Sequence, residues 1–256
     1  MSGLEGRVAL VTGGGRGIGR ACARDLARAG ARVAVAARSR DQVDAAAQEI
    51  GGEARGFTVD VANTDSVAAL FEAVRAAVGA PDILVSAAGI APSALVTKTT
   101  DDEWHQAIET NLSGAFYCLR AALPAMLDKG RGRVVHLASI AGKTGYPYIG
   151  AYAASKHGLL GLTKCAALEV AGKGDITVNA VCPGYVDTPM TDVSIARVTG
   201  KTGLPAAEVR KRLEGMSPQK RLYTADEVAA LVLFLCGDAA GGINGQALSL
   251  DGGTYV

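Results

Sequence analysis

Residues 151–158 read AYAASKHG, so Tyr152 stands four positions before Lys156. Residues with this spacing share one face of a helix, which makes the phenol and the ammonium neighbours. A free tyrosine has a pKa of about 10 and exchanges protons poorly near neutrality, whereas a fixed cation beside it lowers that pKa. The pair is therefore a candidate proton donor and acceptor. Taken alone, two long side chains that reach solvent are the simpler interpretation.

Two polar residues upstream could complete this chemistry. Ser139 ends an apolar stretch before the predicted helix, where its hydroxyl could hold a substrate oxygen. Asn111 lies in an earlier helical tract, where it could hold a backbone or water link to Lys156. Each has an ordinary alternative, since Ser139 could simply end a strand and Asn111 could be a satisfied polar group in a kink. Their joint presence behind a nucleotide-binding loop favours catalysis.

That loop is TGGGRGIG, which follows the first apolar stretch and opens an amphipathic one. Its usable glycines are Gly13, Gly17 and Gly19, with Ile18 between the last two. Glycine permits a tight turn and a close approach to a pyrophosphate, and the following helix N-terminus presents N–H groups to it. A glycine-rich turn of purely steric origin is the alternative, but the position between a strand and a helix favours dinucleotide binding.

The end of the second predicted strand indicates which dinucleotide to expect. An NAD site usually has an acid there, which binds the ribose 2′-hydroxyl, but this chain has Ala37 and Arg38. Arg38 and Arg16 of the glycine loop match the oxygens of a 2′-phosphate, so NADP(H) is expected and NAD(H) is the alternative. Asp60, which ends the third strand, is placed equally well to bind the adenine amino group or to cap the next helix.

Positioning these residues requires a scaffold, and strand-like apolar stretches alternate with helix-like amphipathic ones along the chain. This order predicts an α/β fold with one doubly wound, Rossmann-type parallel sheet of about seven strands, flanked by helices. With no linker or repeat, residues 1–256 are expected to form a single dinucleotide-binding and catalytic domain. The predicted strands cover 7–12, 32–37, 54–60, 82–89, 133–139, 176–182 and 247–253.

The predicted helices lie between these strands. They cover 17–30 with Gly30 at the end, about 41–50, 64–79 with Thr64 as N-cap, 101–129 with a bend near Pro124, 151–172 and 225–236.

Residues 188–221 break the alternation with glycines, prolines and polar residues, so a helical substrate lid is expected there. From 190 to 221 this lid holds seven Lys or Arg against three acids. Its positive charge would suit the phosphates of a pantetheine arm or an acidic carrier protein, although an exposed charged helix is an equally good interpretation.

Composition excludes several classes of protein. Lys and Arg (26) nearly balance Asp and Glu (25), so there is no general attraction to nucleic acid or to an anionic membrane. No apolar run approaches the ~18 residues of a membrane span, and no signal peptide precedes the first strand, so a cytoplasmic protein is expected. The five cysteines and three histidines have the spacing of neither a disulfide framework nor a metal site, and no metal is expected.

Taken together, the motifs form an ordered series: TGGGRGIG, DV at 60–61, NLSG at 111–114, Ser139, YAASK at 152–156 and CPGYVDTP at 182–189. In their order and separation the chain resembles the short-chain dehydrogenase/reductase family over nearly its whole length. The resemblance implies a catalytic tetrad of Asn111, Ser139, Tyr152 and Lys156.

The resemblance also implies a role for each member of the tetrad. Tyr152 would exchange a proton with the substrate oxygen while hydride moves to or from the nicotinamide, and Ser139 would orient the carbonyl. Lys156 would bind the nicotinamide ribose and lower the pKa of Tyr152, and Asn111 would hold a water in the proton relay. Further cofactor contacts implied in this way are Val61, Ala87, Gly89, Pro183, Gly184, Val186 and Thr188.

One motif departs from the family. Where the family commonly has Asn-Asn-Ala-Gly after the fourth strand, this chain has Ser86, Ala87, Ala88 and Gly89. The missing amides would have supported the neighbouring strands and the surroundings of the cofactor.

The resemblance also bears on substrate and assembly. The chain looks most like 3-oxoacyl-thioester reductases, so reduction of a CoA or acyl-carrier-protein thioester to the 3-hydroxyacyl form is expected. An NAD-dependent 3-hydroxybutyrate or other secondary-alcohol dehydrogenase and an aromatic polyketide ketoreductase are the alternatives. The intact tetrad disfavours a nucleotide-binding regulator without turnover. A homotetramer is implied, and the small residues Ala153, Ala154, Gly158 and Gly161 would permit close helix packing.

Overall fold

The computed structural model describes residues 3–255, and its centre is one sheet of seven strands. These strands are β1 (Val8–Thr12), β2 (Arg32–Ala37), β3 (Arg55–Thr58), β4 (Ile83–Ser86), β5 (Arg131–Leu137), β6 (Asp175–Pro183) and β7 (Ala247–Leu250). They lie side by side in the order β3-β2-β1-β4-β5-β6-β7, and every adjacent pair is parallel.

Helices supply the crossovers that parallel neighbours require. They are α1 (Gly17–Arg28), α2 (Arg40–Ile50), α3 (Thr64–Ala77), α4 (Asp101–Ile108), α5 (Gly114–Lys129), α6 (Gly150–Val170), α7 (Pro189–Thr202), α8 (Ala206–Met216) and α9 (Ala225–Cys236). Buried side chains of α1, α2 and α9 pack on one face of the sheet, and those of α3, α5 and α6 pack on the other. The central strands are therefore buried on both faces, which is why they are continuous apolar runs.

The strand order reverses direction at β1, because β2 lies on one side of it and β4 on the other. In sheets of this kind ligands bind at the carboxyl ends of the strands beside such a switch point. The glycine loop follows β1 directly, so the fold places it at the predicted crevice.

Several predicted helix ends differ from the structure, and two of them concern residues that were expected to begin or end a helix. The N-cap of α3 is Asn63 and not Thr64, because the Asn63 side chain accepts a hydrogen bond from the Ser66 N–H at 2.9 Å. Helix α1 ends at Arg28 and not at Gly30, which lies beyond the cap with a φ of +97°. Only glycine adopts such a φ readily, so the residue still marks the turn into β2.

The continuous helix predicted over 101–129 is interrupted. A π-helical turn, Glu109–Ser113, separates α4 from α5, while Pro124 lies inside α5. Such turns insert an extra residue into a helix and are frequent at functional sites. This one contains Asn111.

The predicted lid is helical. It consists of α7 and α8, which are joined through Gly203 in the left-handed conformation (φ +73°). The α/β fold, the seven strands and the helical lid are therefore confirmed. Within residues 3–255 no helix combines the length and apolarity that crossing a bilayer requires.

Candidate active site

The loop after β1 packs backbone against backbone. A Cβ atom at Gly13 would lie 2.5 Å from the main-chain nitrogen of Ala88, and one at Gly19 would overlap the carbonyl oxygen of Gly13. Gly13 and Gly17 also have φ values of +68° and +54°. Side chains rarely tolerate either condition, so the loop requires glycine at these positions. The result is a tight backbone cradle at the N-terminus of α1, which fits a pyrophosphate.

A cavity of about 310 Å³, which we name the cofactor cavity, opens from this loop. The predicted cofactor residues that line it are Gly13, Arg16, Gly17, Ile18, Gly19, Arg38, Asp60, Val61, Ala87, Gly89 and Thr188. Sequence reasoning missed several other lining residues, among them Ser39, Gln42, Ile90, Thr110, Pro189 and Met190. Pro189 lies within the CPGYVDTP motif, whereas only proximity to predicted residues, as with Ser39 after Arg38, could have indicated the others.

The end of the cofactor cavity beside β2 is positively charged. Arg16 and Arg38 both line it and are exposed, and neither side chain is paired with another residue in the described range 3–255. Asp44 of α2 pairs instead with Arg40, at 3.5 Å. This end therefore suits a cofactor with an extra phosphate on its adenosine ribose.

Asp60 does not cap a helix. Its Oδ1 accepts a hydrogen bond from the Ala62 N–H at 3.0 Å, whereas Asn63 caps α3. The capping alternative is wrong because the helix begins one residue after Asn63, too far along for Asp60. The carboxylate lies instead on the wall of the cofactor cavity.

A second cavity, of about 710 Å³, lies beside the first, and we name it the substrate cavity. Ser139 and Tyr152 both line it. Ser139 Oγ accepts a hydrogen bond from the Ala141 N–H at 3.1 Å, so its own O–H can donate either to the neighbouring Tyr152 phenol or to a substrate oxygen. Two O–H donors therefore face one cavity. The predicted nicotinamide contacts Pro183, Gly184 and Val186 line this cavity rather than the first one.

Burial raises the pKa of Tyr152 above its usual value; the Ser139 hydroxyl opposes this shift and the Tyr185 phenol adds to it. The expected net lowering of the Tyr152 pKa is wrong for the described residues. The ammonium lies 5.7 Å from the Tyr152 ring centroid and donates to a main-chain carbonyl, so desolvation of the phenol dominates. A raised pKa keeps the phenol protonated at neutral pH, which is the form that donates a proton.

Lys156 is buried, and its Nζ donates to the Leu137 carbonyl at 2.6 Å. Burial lowers the pKa of Lys156 to about 8, because desolvation penalises the ammonium. The side chain is still mostly cationic at pH 7, and two of its three N–H groups are not engaged by Leu137.

Asn111 is buried in the π-helical turn, and its side chain holds two other segments. The amide exchanges hydrogen bonds with the main chain of Ile90 at 2.8 and 2.9 Å and donates to Ser155 Oγ at 3.0 Å. No hydrogen bond joins it to Lys156 in the part of the chain that the structure describes. Asn111 therefore fixes the loop after β4 against α6, next to Tyr152.

Several lining residues of the substrate cavity were not predicted. Three further tyrosines, Tyr146, Tyr148 and Tyr185, line it, as do the cations Lys98, Arg197 and Lys201. Tyr185 lies within the CPGYVDTP motif, and Arg197 and Lys201 belong to the basic lid. No motif marks Tyr146 or Tyr148, and Lys98 lies nearly a hundred residues before the lid. The two cavities share Ile18, Thr188 and Met190, so they meet along one wall.

Ser86, where the chain departs from the Asn-Asn-Ala-Gly pattern of the family, lies beside buried polar atoms that have no hydrogen-bond partner. Ser86 pairs in register with His136 on β5, and both are buried. Ser86 Oγ and both ring nitrogens of His136 have no hydrogen-bond partner among the described residues. Burial lowers the pKa of His136 to about 4, and the Lys156 ammonium contributes to that lowering.

Residues 3–255 contain no group of three or more His, Cys, Asp or Glu side chains arranged to hold a metal ion.

Comparison with known proteins decides the family. A family model described as enoyl-(acyl carrier protein) reductase matches residues 13–255. The 3-oxoacyl-(acyl-carrier-protein) reductase FabG of Escherichia coli is 39% identical over 253 residues, which cover 99% of each protein. The chain belongs to the short-chain dehydrogenase/reductase family. The family inferred from the motifs is thus confirmed.

Other members of the short-chain dehydrogenase/reductase family are similarly close. The D-beta-hydroxybutyrate dehydrogenase of Rhizobium meliloti is 37% identical over 254 residues, which are 96% of this chain and 98% of the relative. A crystal structure of a variant actinorhodin polyketide ketoreductase with NADPH matches with a TM-score of 0.93 and 39% identity, over 97% of both chains.

Proposed function

We propose that this short-chain dehydrogenase/reductase is an NADP(H)-dependent oxidoreductase that reduces a 3-oxoacyl thioester, carried by CoA or acyl carrier protein, to the 3-hydroxyacyl form. One observation carries the proposal. Ser139 and Tyr152 face a cavity that shares a wall with the glycine-loop cavity, so two O–H donors lie beside the place where a dinucleotide fits. The name of the Escherichia coli relative supports the substrate class. Residues 1–256 act as one catalytic domain.

The two hydroxyls act on the same substrate oxygen. Bound NADPH supplies the hydride that reduces the carbonyl carbon. Ser139 donates a hydrogen bond to the carbonyl oxygen and polarises it, and Tyr152 transfers its proton to that oxygen as negative charge develops there. The raised pKa of Tyr152 ensures that the proton is present when the ketone binds.

Lys156 and Asn111 support this transfer. The unused N–H groups of Lys156 bind the nicotinamide ribose, and its positive charge stabilises the phenolate that remains after Tyr152 has lost its proton. Asn111 holds the loop at Ile90 against Ser155 and, in this proposal, positions a water through which the Tyr152 proton is replaced.

The choice of NADP(H) over NAD(H) rests on the positive end of the cofactor cavity. Arg16 and Arg38 bind the 2′-phosphate there, and Asp60 accepts from the adenine amino group. The remaining contacts are Gly13, Gly17, Ile18, Gly19, Val61, Ala87 and Gly89 along the cofactor, with Pro183, Gly184, Val186 and Thr188 around the nicotinamide.

The test compares the wild type with Tyr152→Phe, using acetoacetyl-CoA with NADPH and NADH. We expect wild-type turnover with a preference for NADPH, and a loss in Tyr152→Phe of at least about a hundredfold, since general acid catalysis contributes 10²–10⁴-fold. NADPH binding should be unchanged in Tyr152→Phe and weakened in Lys156→Ala, as fluorescence titration would show. Near-normal activity of Tyr152→Phe would refute the proposed chemistry.

A polyketide ketoreductase is the second candidate, and the tyrosine-rich cavity favours it. Three phenols besides Tyr152 and a volume of about 710 Å³ suit a bulky ketone with several oxygens. A bicyclic ketone reduced with higher kcat/KM than acetoacetyl-CoA would favour this candidate over the first.

We also propose that the protein is a cytoplasmic homotetramer. Exposed apolar side chains on the long helices support association, including Phe116 on α5 (39% exposed) and Leu168 on α6 (79%). Sedimentation equilibrium gives the assembly state directly.

A further inference from the structure

The charged side chains that line the substrate cavity are all positive. Three cations line it, Lys98 from the segment before α4 and Arg197 and Lys201 from α7, and no Asp or Glu does in the described range. A cavity lined by one sign of charge attracts ligands of the opposite sign. Its occupant is therefore expected to carry an anionic group away from the reacting carbonyl.

The cations of the lid differ in whether they are paired with a carboxylate. Three lid arginines have carboxylate partners: Arg210 pairs with Asp187 at 2.5 Å, Arg212 with Glu208 at 2.7 Å, and Arg221 with Glu227 at 2.6 Å. None of the three lines the substrate cavity. The basic lid noted in the sequence is thus largely neutralised on its outer side.

The cations that face the cavity lack such partners. Arg197 donates one N–H to the Ala91 carbonyl at 3.1 Å, and Lys201 reaches the Ser93 carbonyl at only 3.5 Å. The Lys98 ammonium has no hydrogen bond or ion pair with any described residue. A guanidinium has five N–H donors and an ammonium three, so most donors at this site are uncommitted.

We propose that Lys98 and Lys201, with Arg197 beside them, bind the phosphate of a phosphopantetheine arm that enters between α7 and the segment before α4. This deepens the proposed function, on which it rests. Arg197 also anchors the loop at Ala91, so the two lysines are the side chains whose removal tests phosphate binding without loosening that loop.

The experiment uses three acetoacetyl thioesters that differ in the arm alone. Acetoacetyl-N-acetylcysteamine and acetoacetyl-pantetheine are neutral, and acetoacetyl-4′-phosphopantetheine adds one phosphate. With NADPH at saturation, we expect kcat/KM to rise at least tenfold at the phosphate step, mainly through KM. Because the contact is partly exposed, the rise should shrink as ionic strength increases.

The variants are Lys98→Gln, Lys201→Gln and the double variant. Each single change should reduce kcat/KM for the phosphorylated substrate about fivefold, as expected for one charge-assisted contact, and leave the neutral thioesters unchanged. The matched control is Lys211→Gln, an exposed lid lysine on α8 that does not line the cavity, and it should behave as the wild type.

The proposal is overturned if the phosphate raises kcat/KM equally in the wild type and in the double variant. It is also overturned if the phosphate does not raise kcat/KM in the wild type. In both cases reduction of the neutral thioesters would leave the oxidoreductase function standing. If no thioester is reduced at all, the proposed function fails, and calorimetry with 4′-phosphopantetheine still decides the binding site. Tighter binding to the wild type than to the double variant supports it, and equal or no binding overturns it.

Discussion

Burial changes the acid–base chemistry of Lys156. Its ammonium is held against the Leu137 carbonyl, and desolvation brings its pKa down to about 8, close to the operating range of an enzyme. Below that pH the side chain is charged and can bind the ribose while stabilising a phenolate; above it, both contributions weaken.

We therefore predict that kcat/KM for NADPH falls as pH rises through about 8, by up to about tenfold between pH 7 and pH 9. Steady-state kinetics in a constant-ionic-strength buffer series measure this. The control is Lys156→Arg, which should be less active but lack the fall near pH 8, because a guanidinium keeps its proton. A wild-type profile that is flat to pH 9.5 would contradict the assignment.

Sequence spacing predicted that Tyr152 and Lys156 are neighbours, and the ammonium lies 5.7 Å from the centroid of the phenol ring. Ser139 lines the substrate cavity with Tyr152, whereas the buried Lys156 lines neither cavity. The same spacing led to the wrong direction for the Tyr152 pKa. Spacing on a helix reports which side chains are neighbours. Desolvation depends on what the rest of the chain packs around them, and here it outweighs the charge of Lys156.

At the scale of elements, the pairing of β4 with β5 sets a buried polar position beside Lys156. Ser86 and His136 are register partners, and neither finds a hydrogen bond among the described residues. A buried polar group without a partner costs about 1–3 kcal/mol, so this pair weakens the centre of the sheet.

This position makes stability depend on pH. The folded pKa of His136 is about 4, below its unfolded value near 6.5, so between these values the unfolded chain binds a proton that the folded chain does not. Stability is therefore fully present above pH 6.5 and is lost as pH falls towards 4. We predict that His136 accounts for a loss of about 2 kcal/mol between pH 7 and pH 5.

Urea unfolding of the wild type and of His136→Asn at both pH values measures this loss. The variant should lose about 2 kcal/mol less, since its amide does not titrate. Parallel pH dependence in the two proteins would show that His136 does not titrate as its burial implies.

The sequence predicted the existence of the strands better than the local details of the helices. Alternating apolar and amphipathic stretches predicted all seven strands. The central strands are buried on both faces, whereas the edge strands β3 and β7 are only partly buried. The π-helical turn at Asn111 and the cap at Asn63 were not predicted, since each depends on one local hydrogen-bond choice between adjacent residues of similar propensity.

Across the whole molecule, the carboxyl and amino ends of the strands differ in what they contribute. The carboxyl ends of the strands carry the cavities, whereas the amino ends carry buried charges that tie the chain together. Arg133 is fully buried there, pairs with Asp175 at 2.8 Å and donates to the carbonyls of Gly132, Asp175 and Gly237.

We predict that Arg133→Met destabilises the protein by roughly 2–4 kcal/mol, because three carbonyls at the amino end lose a donor. Arg131→Met is the control on the same strand, where a side chain that is 44% exposed lies 3.8 Å from Asp82 and should contribute less than about 1 kcal/mol. Thermal unfolding of both variants measures the difference. Turnover at 25 °C should survive in each, because neither residue lies near a cavity.

The wall shared by the two cavities has a consequence for anyone who wishes to redesign this enzyme. Ile18, Thr188 and Met190 face both cavities. A substitution at any of them should therefore change both the affinity for the dinucleotide and the range of ketones accepted. Tyr146, Tyr148 and Tyr185 face only the larger cavity. A library aimed at new substrates should therefore vary these three tyrosines first and keep positions 18, 188 and 190 constant.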